Sequence, residues 1–314
     1  MKSKGKFLSP VLLLLAAYIW GLAFTAQKAA AAVPTFALMA IRCSFAAVFL
    51  LAVIPLFDKL RHTGRHLFSR RGLDFTKTEL IGGAVCGTFL SSASIFQQFG
   101  ISGGTDAGKA AFITALYVVL VPVFALVFKK RSSINSWAAV AIALVGFYLL
   151  CIDGEFKIAP TDLLILLCAA IFAMHIISID HFSPKCDGIR MSCIQFAFAA
   201  TVSLILSLIF EPGLDFAVIG ENMLSLLYLG IASSGIAYTL QIIGQRDTHP
   251  AVASILLSLE SVFGVVMSAL ILKERMEARE YVGCVIVLLA VIIAEVDVPR
   301  LFKNAVIKKR NADR

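Results

Sequence analysis

Residues 8–26, LSPVLLLLAAYIWGLAFTA, have the length and the composition of a helix that crosses a lipid bilayer. At a rise of about 1.5 Å per residue, about 20 residues are needed to cross roughly 30 Å of hydrocarbon. The run follows Lys2, Lys4 and Lys6, as the apolar core of a signal peptide would. It is long enough to span the bilayer and many similar runs follow it, so we expect a retained first helix.

Similar apolar runs recur along the 314 residues, separated by short polar breaks. Hydrophobic residues make up 59% of the chain and charged residues only 15%, and the mean hydropathy is +0.89. Soluble domains average about 25% charged residues, so this composition excludes a soluble enzyme and a disordered chain. Continuous apolar runs without alternation also exclude a membrane β-barrel. The sequence therefore predicts an all-α polytopic membrane protein with ten transmembrane helices. The spans are expected at residues 9–30, 35–57, 79–101, 105–128, 134–152, 160–180, 188–210, 222–243, 250–272 and 279–298.

The net charge of +8 is distributed as in a membrane protein. Basic residues collect in alternate loops and do not interleave with aromatic residues, so nucleic acid is not an expected partner. Both termini and the loop at 58–78 are basic. The loops expected on the opposite side of the membrane carry mainly acidic residues. By the positive-inside rule, the sequence predicts a multi-pass protein of the plasma membrane with both termini in the cytoplasm.

Motifs for enzyme chemistry are missing from the sequence. The seven cysteines show neither CxxC nor histidine-linked spacing, which argues against a disulfide framework or a metal site. Gly100-x-x-Gly103-Gly104 lacks the GK[ST] ending of a phosphate-binding loop, and there is no HExxH motif. We expect a protein that is not an enzyme, with no catalytic residues, no metal, no cofactor and no nucleotide. The expected partners are a small-molecule substrate and membrane lipid, and the expected state is a monomer or homodimer.

The second half of the chain repeats the first. Ile41-Arg42-x-x-Phe45-Ala46-Ala47 recurs 153 residues later as Ile194-Gln195-x-x-Phe198-Ala199-Ala200. Because each half holds five spans, an odd number, the second copy must be inverted relative to the first. Inverted repeats are typical of alternating-access carriers, whose substrate site lies near the midplane of the membrane. The predicted units are a first five-helix repeat at 1–152, a second, inverted five-helix repeat at 153–298, and a basic cytoplasmic tail at 299–314.

Two spans carry motifs of a known family. Residues 105–122, TDAGKAAFITALYVVLVP, resemble the fourth helix of the EamA family in the drug/metabolite transporter superfamily, and residues 258–264, SLESVFG, resemble its ninth. Tyr18-Ile19-Trp20-Gly21-x-x-Phe24 and Arg42 also fit. The resemblance covers residues 8–298 and implies ten helices in two five-helix repeats. It also implies export or exchange of amino acids or other small metabolites. Many relatives have proline where this chain has Ser261, which predicts a straighter ninth span.

Three ionisable residues within spans are candidates for transport. Glu260 lies about 15 Å into span nine, near the midplane, where an ionisable group is costly and indicates function, here proton coupling. Arg42 lies about 11 Å inside the outer surface and could bind a substrate carboxylate bidentately. His175, in the inner half of span six, is a second candidate for proton coupling. Each could instead make a permanent structural contact with a neighbouring helix.

Four further residues are candidates for binding the substrate. Trp20, Tyr117 and Tyr238 could line a cavity as rigid walls with a polar tip, or merely pack against helices and lipid. Gln195, which the repeat aligns with Arg42, is expected to face the same cavity toward its inner mouth.

The remaining polar residues are given structural interpretations. Gln97, Gln98 and Gln241 are expected near helix ends, where water can satisfy them. Lys109 has no basic partner within span nine, which disfavours phosphorylated sugars as substrates. The sequence thus predicts a secondary active carrier of amino acids or similar metabolites. A sugar-phosphate or drug carrier, a channel and a non-transport membrane protein stay open as alternatives.

Overall fold

The computed structural model describes residues 5–60, 73–105, 107–129, 133–151, 159–272 and 277–295, and every regular element in these ranges is helical. The predicted all-α class is thereby confirmed. The basic tail at 299–314, most of the loop at 58–78 and the predicted boundary at 152–153 lie outside the described residues, so the predictions for them stay predictions.

The helices begin and end close to the predicted positions. Side-chain caps mark several of their starts: the Thr76 hydroxyl accepts from the N–H of Glu79, and the Asp187 carboxylate accepts from the N–H groups of Ile189 and Arg190. In chain order they are α1 (Gly5–Ala29), α2 (Thr35–Leu60), α3 (Lys77–Ser102), α4 (Ala107–Ala115), α5 (Tyr117–Val127), α6 (Ile134–Cys151), α7 (Pro160–Phe182), a 3-10 helix (Ser183–Lys185), α8 (Gly188–Phe210), α9 (Phe216–Glu221), α10 (Met223–Leu227), a π-helix (Tyr228–Ala237), α11 (Tyr238–Gln245), α12 (Pro250–Leu257), α13 (Glu260–Leu272) and α14 (Ala278–Glu295).

Seven stretches of the described chain are long and apolar enough to cross a membrane. These are Leu8–Ala29, Thr35–Asp58, Lys77–Ser102, Lys109–Val127, Pro160–Lys185, Gly188–Phe210 and Met223–Gln245. Three shorter apolar helices, Ile134–Leu149, Pro250–Gly264 and Tyr281–Ile293, lie where spans five, nine and ten are predicted. The chain is therefore a multi-pass membrane protein, and its described residues include seven span-length apolar stretches and three shorter ones.

Spans four and nine are both interrupted in the middle. Span four breaks at Leu116, between α4 and α5, and span nine breaks at residues 258–259, between α12 and α13. The expectation of a straighter ninth span is therefore wrong. The reason is local: the hydroxyls of Ser254 and Ser258 donate to the carbonyl oxygens of Ala251 (2.9 Å) and Ile255 (2.8 Å). Such bonds compete with the helical ladder and bend helices, so no proline is needed.

The two halves of the bundle meet along α2 and α8, which run antiparallel. The backbone N–H of Phe36, at the start of α2, donates to the carboxylate of Glu211 just after α8 (2.9 Å). At the opposite end, Arg190 in the first turn of α8 donates to Asp58 near the end of α2 (2.6 Å). Helices that occupy the same place in the sequence repeat thus point in opposite directions.

The sequence repeat is also a packing repeat. A Cβ on Gly230 of the π-helix would lie 3.0 Å from the carbonyl oxygen of Arg42, and a Cβ on Gly87 of α3 would lie 2.8 Å from that of Gln195. Arg42 and Gln195 are the positions that the 153-residue offset aligns. Each half therefore packs a close-approaching glycine against the equivalent turn of the other half.

Polar contacts tie the helices together at both ends of the bundle. At the first end, here called the Asp162 end, Lys109 of α4 pairs with Asp162 of α7 (2.6 Å), and Thr105 also donates to Asp162 (3.0 Å). At the second, here called the Arg190 end, Arg190 pairs with Asp58 (2.6 Å). The main buried apolar clusters lie between these ends, one centred on α1, α2, α8 and α11 and the other on α4, α6 and α14.

Candidate functional site

A narrow cavity lies inside the bundle, where the interrupted spans meet α1, α2 and α7. The space open to the centre of a water molecule is about 40 Å³, which suffices for a few waters or part of a small solute. Six of the seven predicted site residues line this cavity although they are far apart in the sequence. They are Trp20, Arg42, Tyr117, His175, Tyr238 and Glu260.

Arg42 is the only lysine or arginine among the described residues that line the cavity. Only 4% of its surface is exposed. Its Nε donates to the hydroxyl of Ser234 (3.2 Å), and its Nη2 donates to the hydroxyls of Ser234 (3.1 Å) and Ser233 (3.5 Å). Within the part of the chain that the structure describes, no carboxylate lies within ion-pair distance of it. Arg42 is thus a buried cation held by neutral hydroxyls.

The π-helix of span eight creates this arrangement. Wider turns of this kind are frequent at functional sites in proteins. Here the π-helix directs the hydroxyls of Ser233 and Ser234 toward Arg42. The carbonyl oxygen of Ser233 accepts a hydrogen bond from Nε1 of Trp20 (2.9 Å). One irregular turn therefore positions the arginine and one aromatic wall of the cavity.

Glu260 and Tyr117 join the two interrupted spans. Tyr117 is the first residue of α5 and Glu260 the first of α13, so each directly follows a break. The Tyr117 hydroxyl donates to Oε1 of Glu260 (3.3 Å), and both side chains are buried at the cavity wall. Glu260 therefore lies at the junction of the two halves and accepts a hydrogen bond from a tyrosine.

Tyr238 forms the centre of an aromatic wall. Its ring centroid lies 4.5 Å from that of Trp20, 5.5 Å from that of Phe196 and 5.8 Å from that of His175. His175 is fully buried, and its Nε2 is 2.9 Å from Oε1 of Gln195. Gln195, expected to face the cavity, instead lies behind His175: it contacts the imidazole, which lines the cavity, and does not line the cavity itself.

Sequence reasoning missed several amide and hydroxyl side chains of the cavity. Gln97 and Gln241 were expected near hydrated helix ends, but α3 and α11 continue for at least one more turn, and both residues are buried cavity residues. Nε2 of Gln27 donates to Oε1 of Gln97 (3.0 Å), and Nε2 of Gln97 donates to the hydroxyl of Thr114 (3.1 Å). One sequence signal could have identified Gln97 and Gln241 as cavity residues. Each lies three residues before a glycine, one in span three and the other in span eight, which are equivalent spans of the two halves.

The described residues offer little for a metal ion. No group of three or more His, Cys, Asp or Glu side chains converges in the described part of the chain. What the cavity offers is one cation, one carboxyl group, several neutral hydrogen-bonding groups and aromatic walls. This set suits reversible binding of a small polar solute.

Comparisons with known proteins agree with this arrangement. The model of a family described as the EamA-like transporter family matches residues 8–152 and 159–295. A relative from Archaeoglobus fulgidus, described as an uncharacterized transporter, is 32% identical over 288 residues, which are 91% of this chain and 85% of the relative. A relative from Clostridium kluyveri with the same description is 23% identical over 218 residues, 67% of this chain and 70% of the relative. A solved structure described only as a crystal structure of protein matches with a TM-score of 0.74 at 20% identity, over 93% of this chain and 98% of the other. That likeness bears on the fold alone.

Proposed function

The chain belongs to the EamA-like transporter family, because the family model matches nearly its whole length in two successive segments, and from this premise we propose that it is a secondary active transporter of amino acids or similar small metabolites. Its relatives are described as transporters, and its seven long apolar helices make it a multi-pass membrane protein. The proposal adds export or exchange by alternating access across the plasma membrane, with ten spans and both termini in the cytoplasm.

The unpaired charge of Arg42 carries the proposal. A buried cation in a membrane bundle is costly unless an anion compensates it. The described residues provide only the hydroxyls of Ser233 and Ser234. A carboxylate on the solute supplies the missing charge, and its two oxygens match the planar guanidinium. Glu260 lines the same cavity and offers oxygen acceptors for an amino group.

The architecture supports alternating access. Equivalent helices α2 and α8 run antiparallel, and the breaks in spans four and nine face each other across the Tyr117–Glu260 bond. Inverted repeats with discontinuous helices at the midplane are characteristic of secondary carriers. Polar contacts close both the Asp162 end and the Arg190 end. In the proposed cycle, rocking of the two repeats opens these ends in turn.

The same geometry argues against phosphorylated solutes. Lys109 pairs with Asp162 at the end of the bundle and does not line the cavity. Arg42 alone would then face a phosphate that carries up to two negative charges. A monoanionic carboxylate is the better match to one guanidinium.

Counterflow in proteoliposomes tests the proposal. Vesicles loaded with unlabelled L-alanine should accumulate labelled L-alanine faster than protein-free vesicles. Alaninamide, which replaces the carboxylate with a neutral amide, should drive counterflow at least tenfold less well, because it cannot compensate Arg42. Equal counterflow with both compounds, or none with any of the common amino acids, would reject the proposed substrate class.

A further inference from the structure

Two buried polar atoms of the cavity have no hydrogen-bond partner. They are Nδ1 of His175 and Oε1 of Gln241. Both side chains line the cavity, and both are more than nine-tenths buried. A buried polar atom without a partner is costly and is uncommon in native structures. These atoms therefore indicate a place where a ligand group makes the missing bonds.

The two residues lie on neighbouring turns of adjacent helices. Gln241 is one turn after Tyr238 on α11, and the Tyr238 ring lies edge-on to the His175 ring. One turn further, Gln245 donates from Nε2 to the carbonyl oxygen of Ile176 (3.2 Å), the residue after His175. This bond holds α11 against α7 beside the imidazole. We refer to the pair as the His175–Gln241 subsite.

A hydrogen bond to Gln195, on the side away from the cavity, orients the imidazole of His175. Gln195 holds Nε2 at 2.9 Å, so the other ring nitrogen, Nδ1, is left for a ligand. If Nε2 carries the proton, Nδ1 accepts; if Gln195 is turned so that its amide donates, Nδ1 donates. The Gln241 amide likewise presents an acceptor or a donor, according to which way it is turned.

These alternatives limit the kind of group that fits. A carboxylate only accepts hydrogen bonds and an ammonium group only donates them. A hydroxyl has one donor and two acceptor lone pairs, so it satisfies both atoms whenever at least one of them donates. A carboxamide has two N–H donors and a carbonyl oxygen, so it satisfies every combination of the imidazole and the amide. Neither group carries a charge that the subsite would have to compensate.

We propose that His175 and Gln241 form a specificity subsite that binds an uncharged polar group, a hydroxyl or a carboxamide, on the side chain of the transported solute. This inference rests on the proposed function, in which Arg42 binds the solute carboxylate. Arg42 lies on α2 and Glu260 on α13, whereas the subsite lies on α7 and α11. Three separate groups of the solute thus meet three separate parts of the cavity, whose small volume favours a short side chain.

Counterflow with L-serine and L-2-aminobutyrate tests the subsite. The two amino acids differ only in a hydroxyl that replaces a methyl group, so shape is held constant. The methyl compound leaves the buried polar atoms unpaired, and wild-type protein should prefer serine in kcat/KM by about 5-fold to 100-fold. Gln241→Met keeps the side-chain volume and should reduce this preference to below about 3-fold.

Ser203→Ala is the matched control. The hydroxyl of Ser203 on α8 is also buried without a partner but lies outside the cavity, so its removal should leave the serine preference unchanged. Thermal stabilisation of the detergent-solubilised wild type by each amino acid gives a second measurement that needs no variant, and serine should stabilise more. Equal exchange and equal stabilisation by the two compounds, or an unchanged preference in Gln241→Met, overturn the subsite and leave the proposed function standing. If no amino acid is exchanged, the proposed function fails and the subsite with it.

Discussion

Arg42→Gln separates an arginine that binds substrate from one that holds the fold together. Glutamine keeps a donor near Ser234 but removes the charge from the cavity. A hydrogen bond to a charged group contributes about 1.5–3 kcal/mol, and about 1.4 kcal/mol corresponds to a tenfold change in affinity. The affinity for a carboxylate-bearing solute should therefore fall by about 10-fold to 150-fold. Counterflow of L-alanine over a range of concentrations measures this loss, and alaninamide should show a change of less than about 3-fold.

The stability of the same variant provides the second half of the test. Arg42→Gln loses the charge-assisted hydrogen bonds to the hydroxyls of Ser233 and Ser234, about 1.5–3 kcal/mol each, and this loss is offset because the variant no longer buries a charge. The free energy of unfolding should then change by less than about 2 kcal/mol. Arg190→Gln is the contrast, because Arg190 is buried against the carboxylates of Asp58 (2.6 Å) and Asp187 (3.4 Å). Removing one partner of a buried ion pair costs about 3–5 kcal/mol, and scanning fluorimetry should report a much lower melting temperature.

The two measurements together decide the role of Arg42. Gln195→Ala should weaken solute binding much less than Arg42→Gln does, because Gln195 lies behind His175 and does not line the cavity. Equal affinity losses for L-alanine and alaninamide, together with a loss of stability as large as that of Arg190→Gln, would refute the reasoning. Arg42 would then be a structural residue.

Three further predictions address coupling, topology and packing. If Glu260 carries a coupled proton, Glu260→Gln should abolish accumulation of the solute driven by a proton gradient in proteoliposomes and should retain solute exchange. A stable variant with normal uphill transport would reject proton coupling at Glu260. In a cysteine-free background, an impermeant thiol reagent outside intact cells should modify Glu221→Cys and spare Lys77→Cys, and the reverse pattern would contradict the topology. Gly230→Ala places a Cβ 2.6 Å from a neighbouring side-chain carbon, so it should lower the free energy of unfolding by about 1–3 kcal/mol, as measured by a thermal melt. Gly220 has open space around it, so Gly220→Ala should leave the stability unchanged. Equal stability of the two variants would contradict the packing repeat.

The lengths of the apolar runs were sufficient to predict the class and the approximate helix positions, and ionisable and aromatic side chains within the spans identified six residues of the cavity wall. Glu260 was found because an ionisable group inside a span is costly and therefore indicates function. Trp20 was found as an aromatic residue with a polar tip that could line a cavity. The sequence did not reveal the helix break in span nine, because serine hydroxyls replaced the proline that usually marks such a break. Gln97 and Gln241 were assigned to hydrated ends, because an error of one turn in a helix boundary changes a buried position into an exposed one.

The two aligned positions Arg42 and Gln195 have similar backbone packing but different side-chain chemistry. Arg42 and Gln195 each lie against a closely packed glycine of the other half, so their backbones have equivalent surroundings. Their side chains do not. Arg42 reaches the cavity across the π-helix, whereas Gln195 orients the imidazole of His175. In the proposed alternating-access cycle, similar packing of the two halves lets each end open in turn, whereas an asymmetric site binds a solute with two different ends. A charge on one side of the pseudo-symmetric pair and a neutral positioning residue on the other meet both requirements.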